Sequence, residues 1–325
     1  MINPLGLLNK LLPRRKKNYT IAFYNLENMF DTVDDPDTND DDFLPTAPRK
    51  WTVDRYHKKL LKLNHTIAQI GLGKSKELPI LIGIAEIENE MVVKDLLGKQ
   101  YLANENYSYV HYDSPDERGI DVALLFKKDF FEVLDSRPIA LMLYDTAGRR
   151  DYTRDILYVK GKLLGEIVYI LVNHWPSRRK GENATDEKRM KASQLVLDTI
   201  ATIQEKDKKA KIIIMGDFND GPTNKSVSQF KYFNLYNPML ELQMEHQGSL
   251  VHYNTKYLFD QVIISTNFRR KWQRGMVFDS ASIYDEEFLK IWRGRNKGNP
   301  FRTYQGVKYK GGYSDHFPVY IHIKK

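Results

Sequence analysis

The sequence has no cysteine among its 325 residues. Disulfide bonds, thiolate metal ligands and a cysteine nucleophile are therefore excluded, and any metal ion must bind oxygen and imidazole ligands. Long apolar runs are also missing, since no segment approaches the roughly 20 apolar residues that cross a bilayer. We expect no stable membrane association.

The N-terminal residues 1–17 place a basic cluster after a short, interrupted apolar patch. A secretory signal peptide has the opposite order, with charge first and a longer apolar run after it. We therefore interpret residues 1–17 as an N-terminal arm and expect a cytoplasmic protein. Residues 18–325 contain no repeat, low-complexity tract or linker, which predicts a single domain, and we expect a monomer.

The composition is that of a folded protein with a mild excess of positive charge. Hydrophobic residues make up 42% and aromatic residues 12% of the chain, enough for a substantial core. The formal net charge of +8 makes polyanions plausible partners, although proteins that never bind nucleic acid also carry such an excess.

Short apolar runs alternate with helical patterns, which predicts an α/β fold. Strands are predicted at residues 19–24, 78–85, 107–112, 122–128, 130–134, 156–160, 166–172, 211–215, 262–265 and 317–323. Helices are predicted at residues 54–71, from Asn89 to Gly98, and at residues 186–204. Residues 286–310, which we call the basic segment, have few apolar positions and are predicted to lie on the surface.

The strand at residues 211–215 runs directly into a Gly-Asp-Phe-Asn-Asp turn. Asp217 and Asn219 are two residues apart, so in an extended chain their side chains lie on the same side. Taken alone, this stretch is better explained as an ordinary β-turn.

Other predicted strands also begin or end in acidic, amide or imidazole groups, which makes a shared site the better interpretation. Taken one at a time, each has a structural explanation: Glu86 as a helix-entry residue, Asp260 as a turn residue, His174 as a satisfied core histidine. The groups are Asn25, Glu27, Glu86, Asp121, Asn173, His174, Asp217, Asn219, Asp260, Asp315 and His316.

These motifs resemble, in order, those of the endonuclease/exonuclease/phosphatase family, which includes pancreatic-type deoxyribonuclease and the AP endonucleases. The matching elements are Asn25-Leu26-Glu27, Glu86, Gly216 to Asn219, Asp260, and Ser314-Asp315-His316. The resemblance implies a four-layer α-β-β-α sandwich, in which two packed, mostly antiparallel β-sheets are flanked by helices. It also implies hydrolysis of phosphoesters with Mg²⁺ or Mn²⁺, with Ca²⁺ as a further option.

The resemblance also implies a metal site. Glu86 is the principal ligand, and Asn25, Glu27 and Asp315 lie near the ion directly or through water. Carboxylate and amide oxygens are hard ligands of the kind that Mg²⁺ prefers.

The catalytic roles implied by the resemblance fall on five residues. His316, hydrogen-bonded to Asp260, activates water or polarises the phosphate. Asp217 orients or deprotonates the nucleophile, and Asn219 donates to a phosphate oxygen. His174 contacts the phosphate or protonates the leaving group.

Substrate binding is predicted at Arg118, Asp121, Asn173 and Arg178. Arg118 and Asp121 match an Arg-x-x-Asp element that braces the site in relatives, and a simple salt bridge explains Arg118 equally well. The sequence Asn173-His174-Trp175-Pro176-Ser177 argues against a dedicated abasic-site enzyme.

We favour a nuclease acting on DNA or RNA. Arg178, Arg179 and Lys180 and the basic segment would follow the phosphate backbone, with Tyr304, Tyr309 and Tyr313 stacking on bases. A solubilising loop is the competing interpretation of the basic segment. The alternative function is a phosphatase or phosphodiesterase of a small or lipid substrate, such as a phosphoinositide or sphingomyelin. A binding protein with a degenerate site is a third hypothesis, and it requires lost ligands, of which there are none.

Overall fold

The computed structural model describes residues 16–178, 181–269 and 275–325. The predicted N-terminal arm lies almost wholly outside these ranges, as do Arg179 and Lys180. In the part of the chain that is described, no helix has both the length and the apolar composition that crossing a membrane requires.

Most of the strands belong to one of two large sheets. Along the chain, each of the longer helices connects one of these strands to the next. The strands are β1 (Asn18–Met29), β2 (Leu81–Ile87), β3 (Tyr107–His111), β4 (Asp121–Lys127), β5 (Phe131–Ile139), β6 (Leu143–Tyr144), β7 (Arg150–Asp151), β8 (Ile156–Leu163), β9 (Glu166–His174), β10 (Lys211–Asp217), β11 (Leu235–Tyr236), β12 (Leu250–His252), β13 (Thr255–Tyr257), β14 (Asp260–Ser265), β15 (Val277–Ile283), β16 (Tyr304–Gln305), β17 (Lys308–Tyr309) and β18 (Val319–Lys324). The α-helices are α1 (Val53–Gln69), α2 (Glu90–Leu97), α3 (Glu182–Lys206), α4 (Lys225–Ser228) and α5 (Met239–Met244). Short 3-10 helices lie at Asp41–Phe43, Gln229–Phe233, Thr266–Arg269 and Glu287–Leu289.

The two large sheets have six strands each, in the orders β15-β18-β1-β2-β4-β3 and β11-β14-β10-β9-β8-β5. The pairs β1–β2 and β9–β10 are parallel, and the other neighbours in these sheets are antiparallel. Strand β18 returns from the end of the chain to pair with β1, with Asn18 opposite Lys324.

Three apolar layers hold the sheets and helices together. Along β1, Ile21 and Phe23 point into the layer between the two sheets, whereas Ala22 and Tyr24 point towards α1 and α2. This alternation is the two-residue period of a strand that is covered on both faces. A third layer joins the second sheet to α3. The structure therefore has the predicted four-layer α-β-β-α arrangement.

The chain departs from the predicted elements in several places, because the short strands β6, β7, β11, β12, β13, β16 and β17 and the short helices α4 and α5 were not predicted. Helix α3 begins at Glu182, earlier than the predicted start at residue 186. Strand β15 was not predicted, because most of its residues are only partly buried and show no clear apolar pattern. Its place at the edge of the first sheet explains this exposure.

Candidate active site

The first wall of the site lies where strands β1 and β2 both depart from regular strand geometry. The parallel register between these strands shifts between Asn25 and Met29. Glu27, Asn28 and Glu86 adopt left-handed backbone conformations, with φ of 53°, 50° and 61°. Such φ values are unfavourable for residues with a Cβ and often mark functional sites.

The Glu86 carboxylate is held by groups of β1. Its Oε2 accepts a hydrogen bond from the Asn28 backbone N–H at 2.8 Å, and its Oε1 lies 3.3 Å from Asn25 Nδ2. Burial alone would raise the pKa of Glu86, but nearby positive charge, chiefly from Arg118, holds that pKa below its usual range. Glu86 is therefore an ionised carboxylate, which is the state a metal ligand requires.

The second wall comes from the parallel strands β9 and β10, whose register sets Asp217 beside His174. The preceding pair is Gly216 and Asn173. A Cβ at Gly216 would lie 2.3 Å from the Asn173 carbonyl oxygen, so only glycine fits there. The Gly-Asp motif thus reflects a close approach of two backbones immediately before the carboxylate.

The turn after β10 places Asn219 against Asp217. The Asn219 backbone N–H donates to Asp217 Oδ1 at 2.9 Å, and its side-chain Nδ2 donates to the Trp175 carbonyl at 2.9 Å. Asn219 has a φ of 50°, which asparagine tolerates better than most residues. The turn predicted from the sequence therefore fixes both polar side chains.

Asp217 lies where the two sheets meet. Its Oδ2 accepts a hydrogen bond from Asn25 Nδ2 at 3.1 Å. His174 Nε2 lies 3.8 Å from both Asp217 Oδ2 and Glu86 Oε1, and His316 Nε2 lies 4.0 Å from Asp217 Oδ2. Side chains from both sheets thus surround one point.

His316 and Asp260 form a hydrogen-bonded pair. His316 Nδ1 lies 2.7 Å from Asp260 Oδ2, which also accepts a hydrogen bond from Ser249 Oγ at 2.5 Å. Burial lowers the pKa of His316, but the negative charge of Asp260 outweighs burial and holds that pKa well above its usual range. Burial, reinforced by Asp260, raises the pKa of Asp217 to about 7. The ligand atoms of Asp217, Asp260 and His316 lie within 4.8 Å of one another.

Glu27 faces the end of the basic segment. Its carboxylate accepts hydrogen bonds from the Thr303 backbone N–H at 2.6 Å and from Arg302 Nε at 3.3 Å. Arg302 also donates to Asp315 Oδ2 at 2.8 Å. Burial raises the pKa of Glu27 to about 7, with a further increase from the charge of Asp315. Arg302 therefore joins two of the predicted metal-site carboxylates.

Lys59 is a component that the sequence predictions missed. It is almost fully buried on α1, and its Nζ donates a hydrogen bond to the Glu27 carbonyl oxygen. A lysine within the buried face of α1, between Tyr56 and Leu63, was the available signal. A buried lysine needs partners of this kind.

The walls enclose a cleft of about 790 Å³. The predicted residues that line it are Glu86, Arg118, His174, Arg178, Asp217, Asn219, Asp315 and His316. Asn25 and Asp260 are fully buried and bond to residues that line the cleft. The cleft is also lined by groups that the sequence predictions missed, among them Tyr152, Arg154, Lys188 and the β12–β13 hairpin.

Asn173, a predicted substrate-binding residue, does not line the cleft. It is fully buried, its Nδ2 bonds to the Leu171 and Met215 carbonyls at 3.2 and 3.3 Å, and its Oδ1 accepts from Trp175 Nε1 at 3.1 Å. With its side chain committed to the backbone and to Trp175, Asn173 shapes the site without contacting substrate.

Asp121 likewise lies away from the cleft. Its carboxylate accepts from the Ser114 backbone N–H at 2.9 Å and lies 3.0 Å from His111 Nε2. Arg118 reaches back towards the site and donates to Asn28 Oδ1. In the Arg-x-x-Asp element, therefore, Arg118 belongs to the site, whereas Asp121 anchors the loop that contains Ser114.

Arg178 lines the cleft and is held in place by the turn after β10. Its Nε donates to the Asn219 carbonyl at 2.7 Å and its Nη2 to Asp220 Oδ1 at 2.5 Å. Its guanidinium lies 4.7 Å from the centre of the Phe259 ring.

Tyr304 and Tyr309 of the basic segment and the nearby Tyr313 do not form the predicted stacking surface. Tyr304 is 4% exposed and packs against Trp51 and Phe43. Tyr309 packs edge-on against Tyr304, and Tyr313 packs edge-on against Phe288. The interpretation of residues 286–310 as wholly superficial is corrected accordingly, because Tyr304 belongs to the layer beneath α1.

The donor set fits a divalent metal ion. Glu86 and Asp217 present hard carboxylate oxygens to the same point, and Glu86 is kept ionised. Asn25 donates its Nδ2 to both carboxylates, while its Oδ1 accepts from the Glu27 backbone N–H at 2.9 Å.

Residues 20–325 match the model of the Endonuclease/Exonuclease/phosphatase family. The chain belongs to this family. It is accordingly an enzyme of the hydrolytic, divalent-metal-dependent phosphoesterase class, as the resemblance implied. No curated protein sequence matches the chain.

Solved structures similar to this one cover nearly the whole chain. D. rerio TDP2 complexed with a single-strand DNA product is 16% identical, with a TM-score of 0.58 and coverage of 95% of this chain and 99% of that chain. The Bacteroides thetaiotaomicron mannosyl-6-phosphatase is 15% identical, with a TM-score of 0.57 and coverage of 94% and 99%. The human Nocturnin catalytic domain with bound sulfate is 15% identical, with a TM-score of 0.58 and coverage of 97% and 95%. At this identity the likeness establishes the fold.

Proposed function

We propose that this protein is a nuclease that hydrolyses phosphodiester bonds of DNA or RNA with Mg²⁺ or Mn²⁺. The observation that supports this proposal is the combination of aromatic rings and cations beside the catalytic groups. Tyr253 at the tip of the β12–β13 hairpin is 90% exposed, and Tyr152, 50% exposed, also lines the cleft. Arg154 and Lys188 line it as well, each ion-paired with a carboxylate of the lining, Asp116 and Asp151 respectively.

This lining suits a nucleotide better than a sugar phosphate. Exposed aromatic rings stack on bases whatever their sequence, and cations neutralise the phosphate backbone. A volume of about 790 Å³ accommodates more than a phosphate group, since small-molecule sites usually occupy 300–1,000 Å³. D. rerio TDP2, whose solved complex contains a DNA product, supports the same substrate class.

In the proposed reaction, water attacks phosphorus, the ester P–O bond breaks, and the leaving oxygen takes up a proton from bulk water to give the alcohol. Asp217, held by Asn25 and by the Asn219 N–H, takes the proton of the water. His316, oriented by Asp260, donates a hydrogen bond to a phosphate oxygen, and His174 contacts the phosphate from the other side of Asp217. Glu86 would hold a divalent ion, which would supply positive charge that neutralises the phosphate oxygens.

The proposal is tested with a substrate panel assayed at several Mg²⁺ and Mn²⁺ concentrations. The panel contains single- and double-stranded DNA, RNA, phosphorylated inositols and mannose 6-phosphate. We expect cleavage of an oligonucleotide that stops with EDTA, with His316→Ala and with Asp217→Ala, while circular dichroism shows a folded chain. Turnover of a phosphorylated sugar or inositol, with no oligonucleotide cleaved, would contradict the nuclease and favour the phosphatase function of the Bacteroides thetaiotaomicron relative.

Substitution of two exposed tyrosines, one in the cleft and one outside it, gives a second test. Tyr253→Ala is expected to raise the KM for oligonucleotides about tenfold, because stacking contributes about 1–3 kcal/mol per base. Tyr232 is also exposed, at 76%, but does not line the cleft, so Tyr232→Ala serves as the matched control. Equal KM values for the two variants would remove the main support for a nucleotide substrate.

A further inference from the structure

Lys59 and Glu86 bind the two ends of one peptide unit, the one that joins Glu27 to Asn28 in β1. Its carbonyl oxygen accepts a hydrogen bond from Lys59 Nζ, and its N–H donates to Glu86 Oε2 at 2.8 Å. The peptide bond is trans and planar, so its C=O and N–H point in opposite directions. The bond from Lys59 therefore sets the direction in which the N–H points.

This peptide lies where the backbone is strained. Glu27 and Asn28 have φ of 53° and 50°, whereas residues of a regular strand have negative φ. Strained conformations persist only where the surrounding structure holds them. Rotation of this peptide about its two flanking bonds would turn its carbonyl oxygen, in place of its N–H, towards the Glu86 carboxylate. The hydrogen bond to Lys59 opposes that rotation.

Burial makes the contact with Lys59 difficult to replace. Lys59 is 1% exposed, and Leu60 and Leu63 of the same helix are fully buried beside it. A buried amine that loses its acceptor is unfavourable, because bulk water does not reach it. Hydrogen bonds in such surroundings also polarise one another, so a donor on the carbonyl oxygen strengthens the N–H at the other end of the peptide.

We propose that Lys59 is a positioning residue of the metal site. It acts through the Glu27–Asn28 peptide, whose N–H holds the Glu86 carboxylate in the orientation that binds a divalent ion. This inference rests on the metal site of the proposed function, but not on its nucleic-acid substrate. Groups that orient a metal ligand commonly change metal affinity by about 10–100-fold.

The test is calorimetric titration with Mg²⁺ of the wild type and of Lys59→Met. Methionine fills similar space and has no amine, so the bond to the Glu27 carbonyl is lost. The Kd for Mg²⁺ should rise at least about tenfold. Lys59→Gln is a second variant, in case circular dichroism shows that Lys59→Met does not fold. Its side chain is one atom shorter, so it should lose the same bond and bind Mg²⁺ more weakly. An unchanged Kd in a folded variant would overturn the proposal.

The sign of the change separates positioning from simple charge. Lys59 is close enough to Glu27, Asp315 and Glu86 for their charges to act on it. If Lys59 affected the ion only as a nearby positive charge, its removal would strengthen the binding of Mg²⁺. Tighter binding in Lys59→Met would therefore refute the positioning role as well.

Leu63→Ala is the matched control for packing. Leu63 lies four residues after Lys59 on the same buried face of α1. Its truncation should lower the free energy of unfolding in urea, because it leaves a cavity, and should not alter the Kd for Mg²⁺. An equal rise in Kd in Leu63→Ala would show that any disturbance of α1 weakens the site, and the proposal would fail.

The substrate panel separates this inference from the nuclease proposal, because the titration involves no substrate. If both Lys59 variants bind Mg²⁺ weakly but the wild type cleaves no oligonucleotide, the nuclease proposal fails and the role of Lys59 stands. If oligonucleotides are cleaved and Lys59→Met binds Mg²⁺ as the wild type does, the role of Lys59 fails alone.

Discussion

Asp260 orients the imidazole of His316, with 2.7 Å between Asp260 Oδ2 and His316 Nδ1. The bond leaves Nε2 of His316 directed towards Asp217, 4.0 Å away. Asp260→Asn removes the negative charge that orients the His316 ring and favours its protonated form, so kcat should fall about 100-fold or more. Ser249→Ala, which removes one hydrogen bond to Asp260, should reduce kcat much less. Comparable losses in the two variants would show that packing, and not charge, accounts for the role of Asp260.

Glu86 is expected to account for much of the metal affinity. Glu86→Gln removes the ionised carboxylate at the meeting point of the sheets, and Mg²⁺ affinity should decrease by at least about tenfold. Calorimetric titration with Mg²⁺ measures this without reference to turnover, and EDTA should abolish activity in the wild type. Glu90→Gln changes an exposed carboxylate four residues away that pairs with Lys94, and should leave binding unchanged.

Gly216 links stability to the geometry of the site. In Gly216→Ala the new Cβ would meet the Asn173 carbonyl at 2.3 Å, and separating β9 from β10 should cost about 1–3 kcal/mol. Asp217 and His174 would shift with the strands, so activity should fall as well. Gly73→Ala is the control, because no atom lies within 4 Å of a Cβ built there. Equal free energies of unfolding for Gly216→Ala and Gly73→Ala in urea would contradict the close approach of the two backbones at Gly216.

His322 should make stability depend on pH. Burial lowers the pKa of His322, whose Nε2 lies 3.0 Å from the Gly71 carbonyl. The unfolded chain binds the proton more readily, with a pKa near 6.5, so the free energy of unfolding should decrease as pH falls below about 6.5. In urea titrations between pH 7.5 and 5.5, the free energy of unfolding of His322→Gln should depend less on pH than that of the wild type. His57→Gln, at an exposed position, should retain it.

The sequence predicted those parts of the site that are encoded locally. Asp217 and Asn219 follow an apolar run, and their turn conformation depends on residues within a few positions. Glu86 and Asn25 follow similar runs. In each case the strand is buried on both faces, so its apolar composition is distinctive and the polar residue that follows it is conspicuous.

The missed parts depend on contacts between distant positions. Arg302 bonds to Glu27 across 275 residues, and no local pattern distinguishes Arg302 from the other cations of the basic segment. Lys59 lies in an otherwise apolar stripe, where its carbonyl partner is visible only in three dimensions. Asn173 was predicted to bind substrate, but the alternation of side chains along β9 points Asn173 away from the cleft, on the opposite side from His174.

The return of β18 to β1 has a consequence for folding of the enzyme. Asp315 and His316 come immediately before β18, which pairs with the first strand of the structure. The side chains of the site are therefore brought together only by contacts between positions about 300 residues apart, as between Asn18 and Lys324. Because closing such long loops slows folding, we expect the site to be completed late in folding, after the local helices and hairpins have formed.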